Sequence, residues 1–128
     1  MKKLVLGLIL AIFAGLPAFA ADPVIGMWKT EVDDGAYAFV DIHMCGAKIC
    51  GTIMQTFNSD GEYQSPNIGK DIIRGMVAGS GGKYAGNVWR PSNDKIYVGK
   101  LVLNGDSLKM KGCVAGGLIC SSQNWTRM

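Results

Sequence analysis

The sequence predicts an all-β fold, a single antiparallel eight-stranded meander barrel preceded by an N-terminal signal peptide. Turn signals recur throughout: Asp33-Asp34-Gly35, Cys45-Gly46, Asn58-Ser59-Asp60-Gly61, Gly79-Ser80-Gly81-Gly82, Pro91-Ser92-Asn93-Asp94 and Asn104-Gly105. Between them lie short runs of β-branched and aromatic residues, and no stretch of helix length carries a 3.6-residue period. Strands spaced about every 8 to 12 residues point to a sandwich or a barrel.

The expected strands cover 25–32, 36–45, 49–55, 71–78, 83–90, 95–103, 107–113 and 120–127, with an irregular stretch at 56–70. No internal repeat or linker divides them, so residues 21–128 are expected to form one domain. Residues 1–20 have the three parts of a secretory signal: Lys2 and Lys3, an apolar run from Leu4 to about Leu16, and Ala18-Phe19-Ala20 as a cleavage site. That run falls short of the roughly 20 residues a membrane span needs, so no integral membrane segment is expected after cleavage.

The whole chain carries 13 Lys plus Arg against 10 Asp plus Glu. Two of those cations, Lys2 and Lys3, leave with the signal, and no basic stripe remains for a phosphate backbone to occupy. Nucleic acid is excluded as a partner on that ground.

Cys45, Cys50, Cys113 and Cys120 allow three pairings. An exported chain favours disulfides, and the C-x4-C and C-x6-C spacings lack the short C-x2-C element of a zinc site. If Cys45 faces Cys50 across a hairpin, Val40, Ile42 and Met44 share a core face with Gly51 and Ile53, and Asp41 and His43 turn outward. In the later hairpin Leu101, Leu103, Leu108 and Met110 face the core, and Lys100, Lys109, Lys111 and Cys113 face out. A Cys113–Cys120 bridge then turns Ser121, Gln123, Trp125 and Arg127 inward. Local pairing makes both hairpins consistent, and a bridge between the hairpins also satisfies two outward-facing pairs. The charged outward set argues against an outer-membrane barrel, whose outer band is apolar.

Catalytic chemistry finds little to build on. His43, the single histidine, has Asp41 two residues away and Thr52 expected opposite, with no nucleophile beside it. Met27, Met44, Met54, Met76 and Met110 are dispersed, which suits core filling better than a copper site. Gly79-Ser80-Gly81-Gly82 lacks the Lys-Ser/Thr and helix of a phosphate cradle. No enzyme, metal or cofactor is expected. The inner surface offers more: Trp28, Tyr97 and Trp125 as aromatic walls, with Gln55 and Gln123 as inward polar groups that could orient a ligand.

Gly26-Met27-Trp28 on the first strand, with Arg127 close after Trp125 on the last, resembles lipocalins and their calycin relatives. In those proteins a G-x-W tryptophan packs beneath a terminal arginine. The chain also resembles a domain-of-unknown-function family of small exported proteins from Gram-negative bacteria. The matching residues are Asp22-Pro23, Gly26 and Trp28; Cys45 through Gly51; Gly112-Cys113; Leu118 through Cys120; and Gln123 with Trp125-Thr126-Arg127. The resemblance implies a lipocalin-like, calycin-type barrel closed at its base by Trp28 and Arg127, in the periplasm or secreted space. The function expected is binding of a small, largely apolar ligand through Trp28, Gln55, Tyr97, Gln123 and Trp125. The alternative is a protein–protein module, an envelope inhibitor or adhesion accessory, using loops 56–70 and 79–82 on a filled barrel.

Overall fold

The computed structural model describes residues 22–128, so the signal peptide expected over 1–20 lies outside the described residues. Nine strands follow in order: β1 Gly26–Lys29, β2 Tyr37–Cys45, β3 Lys48–Asn58, β4 Gly61–Tyr63, β5 Asp71–Ala78, β6 Lys83–Arg90, β7 Lys95–Asn104, β8 Ser107–Val114 and β9 Ile119–Arg127. All pair antiparallel. The ring runs β2-β1-β9-β8-β7-β6-β5-β3 and returns from β3 to β2, closing an eight-stranded barrel. The fold is the one expected, with one addition. β4 is a ninth, three-residue strand that extends β3 where the sequence suggested irregular chain. The Asn58 side chain accepts from the Asp60 N–H at 2.9 Å, and Gly61 takes φ of +107°, so the 58–61 turn folds tightly enough to pair Glu62 with Phe57.

The barrel has two distinct ends. The chain entering at Asp22 and the turns after β2, β5 and β7 form its base; the segments 30–36, 64–70, 91–94 and 115–118 form its mouth. Loops 56–70 and 79–82, paired in the protein-module expectation, therefore stand at opposite ends.

Alternation fills the lower barrel. Trp28, Val40, Ile42, Ile73, Leu101, Leu108 and Trp125 are fully enclosed, and Met76 joins them. Gly51 is needed in this layer: a Cβ there would stand 3.0 Å from Ile73 and Val40 side-chain atoms. Met44, expected on the same inward face, is instead half exposed, because it sits where β2 overshoots the barrel base toward the Cys45–Lys48 turn.

Both local disulfides form, Cys45–Cys50 and Cys113–Cys120. Cys113 stands directly across from Cys120, whereas Cys45 faces Lys48 and reaches Cys50 diagonally. Cys113 points outward as expected yet is only 1% exposed.

Several bulges reset the alternation, and two of them bear on the cleft. Between the pairs Phe39–Gln55 and Val40–Ile53, β3 carries one extra residue, Met54. Between Gly51–Ile73 and Thr52–Asp71, β5 carries one extra residue, and Ile72 and Ile73 are both buried. The first overturns an expectation. Counting from Gly51 and Ile53 puts Gln55 inward; the extra Met54 turns it outward, where its amide donates to Glu62 at 3.2 Å. Thr56 takes the inward position and is 6% exposed.

Candidate functional site

The base is sealed by hydrogen bonds that the first residues dictate. The Trp28 indole N–H donates to the Val24 carbonyl at 2.9 Å, and the Asp22 carboxylate accepts from the Val24 N–H at 3.0 Å and from the Tyr84 hydroxyl at 2.5 Å. Burial, and then this bond to Asp22, hold the Tyr84 hydroxyl protonated well above the usual phenol range. The Arg127 guanidinium lies 4.3 Å from the Trp28 ring centre. It also donates to the Pro23 carbonyl at 2.7 Å. Planarity lets one guanidinium stack on indole and spend its edge on carbonyls at once. Trp28 and Arg127 thus meet at the floor as the sequence suggested.

Above this floor the barrel is hollow. A cleft of about 420 Å³, open to solvent, is lined by Ile72, Val88, Met110, Val114 and Ile119, with Tyr97, Gln123 and Ser121 among its polar groups. A second recess of about 90 Å³ adjoins it across Glu31, Asp33, Ile72, Pro91 and Gln123.

Of the five residues expected to bind a ligand, two line this space. Tyr97 stands on β7 opposite Val88, and Gln123 on β9 opposite Met110. Trp28 and Trp125 are wholly buried beneath it, so they support the cleft rather than line it. Gln55 is on the outer wall. Residues that counting along strands did not single out complete the lining. Gly112 leaves room beside the Tyr97 ring, and Ile72 arrives through its bulge. Arg90 stands at the very end of β6, and the segment 31–33 comes from a loop whose course alternation does not predict.

Two of the polar groups, Gln123 and Tyr97, are oriented as donors. The Trp125 indole N–H donates to Gln123 Oε1 at 2.9 Å, which fixes the amide and leaves its NH2 unbonded. Asn93 donates to the Tyr97 oxygen at 2.7 Å, so the phenolic proton remains for another acceptor.

One segment crosses the mouth. The chain bends at Asp33–Ala36, with Asp34 and Gly35 at φ of +53° and +75°. Arg90 clamps the bend by donating to both carboxylate oxygens of Asp33 at 2.8 and 2.9 Å. These hydrogen bonds hold the Asp33 carboxyl below the usual carboxylate range, outweighing its partial burial.

His43 lies on the outer wall, half-buried. Its Nδ1 is 3.1 Å from the backbone carbonyl of Asp41, and its strand partner is Cys50, not Thr52. Thr52 instead faces Asp41 and donates to Asp71 at 2.7 Å. The Asp41 carboxylate therefore does not orient this imidazole. Among the described residues no group of three or more His, Cys, Asp or Glu side chains is gathered as a metal site would require.

Residues 26–127 match the bacterial family described as "Uncharacterized protein conserved in bacteria (DUF2147)". The chain belongs to that family. None of the curated proteins matches it. Its fold is similar to the solved structure titled "Protein HP1028 from the human pathogen Helicobacter pylori belongs to the lipocalin family", at 14% identity and TM-score 0.66 over 82% of each chain. The DUF2147 chain is thus lipocalin-like in architecture. Its two disulfides are consistent with an exported protein.

Proposed function

We propose that this DUF2147 protein is a non-enzymatic binding protein of the periplasm or secreted space. Its ligand is a small molecule with an apolar body and a head that accepts hydrogen bonds, such as a carboxylate or carbonyl. The observation carrying this reading is the 420 Å³ cleft, within the usual range of ligand sites, whose apolar lining surrounds the free Tyr97 O–H and Gln123 NH2. Burial of apolar ligand surface would contribute about 25 cal/mol per Å², and the two donors would select the head.

Native mass spectrometry and thermal shift against fatty acids and envelope lipids test the proposal. Wild type is expected to retain a ligand and rise in Tm. Gly112→Leu, which fills the space beside Tyr97, is expected to bind at least tenfold more weakly. Absence of any bound species and of any thermal shift across the panel would refute it.

A further inference from the structure

The barrel wall is incomplete beside the cleft. β1 pairs with β9 only through Trp28–Arg127 and Lys29–Thr126, and Thr30 then bonds to Ala38 of β2. β9 continues upward to Ile119 with β8 on one side. Its other edge, from Asn124 to Ile119, meets no strand among the described residues.

The hydrogen-bond phase shows which groups face that edge. Arg127 donates its N–H to Asp106 on the β8 side, whereas Met128 donates to Met27 on the β1 side. Odd-numbered residues of β9 therefore bond to β8, and even-numbered ones point to the gap. Two observations agree. The Asn124 N–H turns to the gap and is taken by the Glu31 carboxylate at 3.1 Å. Cys113 and Cys120, a pair without ladder bonds in this phase, have Cα atoms only 4.1 Å apart. The N–H and C=O of Cys120 and Ser122 consequently face the slot. Proteins usually guard such an edge with Lys, Pro or a bulge; Ile119 to Trp125 carries none of these.

We infer that the β9 edge at Cys120 and Ser122 is a docking site for an extended, uncharged segment of a partner protein. That segment adds as a strand between β9 and residues 31–33. The matching feature is the backbone itself: alternating donors and acceptors, repeating every second residue, complement another polypeptide and not a lipid chain. Alternate side chains of the added strand would enter the cleft between Val114 and Met110, and the rest would face solvent. Glu31 at present occupies the Asn124 N–H and so marks the lower end of the slot. This inference is independent of the small-molecule reading, because it rests on the strand edge rather than on the donors of the cleft.

Ser122→Pro, together with a peptide blocked at its backbone, tests it. The Ser122 N–H makes no ladder bond to β8, so proline there removes an edge donor and leaves the β8 pairing intact. The probe is a fluorescein-labelled peptide of alternating Val and Ser or Thr, six residues long, read by fluorescence polarisation. A second peptide carries N-methyl groups on alternate residues. Saturable binding to wild type is expected, at least tenfold weaker for S122P and for the methylated peptide, with slowed exchange of the Cys120 and Ser122 amides in the complex. The Tm of S122P should stay at the wild-type value, and the methylated peptide, which leaves the cleft lining unaltered, controls for any change that S122P makes to the cleft. Equal binding of peptide to wild type and S122P, or no binding below 1 mM, overturns the inference. Concentration-dependent dimerisation of wild type that S122P abolishes would also overturn it, making the occupant a second copy.

Discussion

Replacing Arg127 with alanine should loosen the base of the barrel more than any other single surface-reaching change. The guanidinium sits 4.3 Å from the Trp28 ring, and its side chain is 27% exposed, so a cation–π contribution near 1 kcal/mol is reasonable. Its 2.7 Å bond to the Pro23 carbonyl contributes about 1.5 kcal/mol, as charged donors do. The bonds to Ile25 and Gly105 are long, at 3.4 Å, and Asp106 is 88% exposed, so the ion pair adds little. The total is about 2.5 kcal/mol, equivalent to a fall in Tm of about 11 °C for a domain this size. Urea unfolding monitored by Trp fluorescence measures it. Arg127→Lys keeps the charge and loses the planar fork, so it should recover less than half. An R127A protein within 0.5 kcal/mol of wild type would refute the account of the base, and an R127K protein equal to wild type would show that stacking plays no part.

Removing the Cys113–Cys120 bridge by double replacement with serine should lower stability by about 2 kcal/mol on the chain-entropy estimate for so short a loop, measurable as a midpoint shift in urea. Gly99→Ala should cost about 1–3 kcal/mol, because its Cβ would stand 2.4 Å from Val88 and 2.8 Å from the Asn87 backbone; calorimetry reads the loss. The Asp33–Arg90 clamp should be acid-labile. The Asp33 pKa is depressed by folding, so its contribution is present above the unfolded carboxylate value of about 3.9 and is lost as pH falls through the lower folded value. Arg90→Gln should therefore lower the urea midpoint slightly at pH 7, and the difference from wild type should shrink as pH falls below the unfolded carboxylate value of about 3.9.

Strand faces were legible wherever alternation ran unbroken. Leu101, Leu108, Met110 and Trp125 fell inward as counted, and the same parity brought Cys113 across from Cys120. The G-x-W and terminal arginine located the floor correctly because both belong to strands with regular pairing there. Gln55 failed for a local reason. A bulge adds one residue without any change in composition, so Met54 looks like an ordinary strand residue and everything after it is miscounted. The cleft was only half legible for the same kind of reason. Tyr97 and Gln123 follow from parity, whereas Ile72 needs a bulge, and Glu31 and Asp33 depend on how a loop crosses the mouth to meet Arg90 at the end of β6.

The length of β1 decides how the two halves of this barrel differ. The sequence supported a strand over 25–32, and had it run that far Glu31 would have met Asn124 backbone to backbone and closed the wall. Instead Thr30 exchanges bonds with Ala38, its N–H to the carbonyl and its Oγ1 accepting from the N–H, which holds the chain on β2 while it parts from β9. The turn at Asp34 and Gly35 then brings it back across the mouth. Glu31 replaces a ladder bond with a side-chain bond to Asn124, a contact that can be exchanged without breaking the sheet. The rigid floor under Trp28 and the interrupted wall above Lys29 are therefore consequences of one four-residue strand, which seals the base and leaves the cleft accessible from its side as well as its mouth.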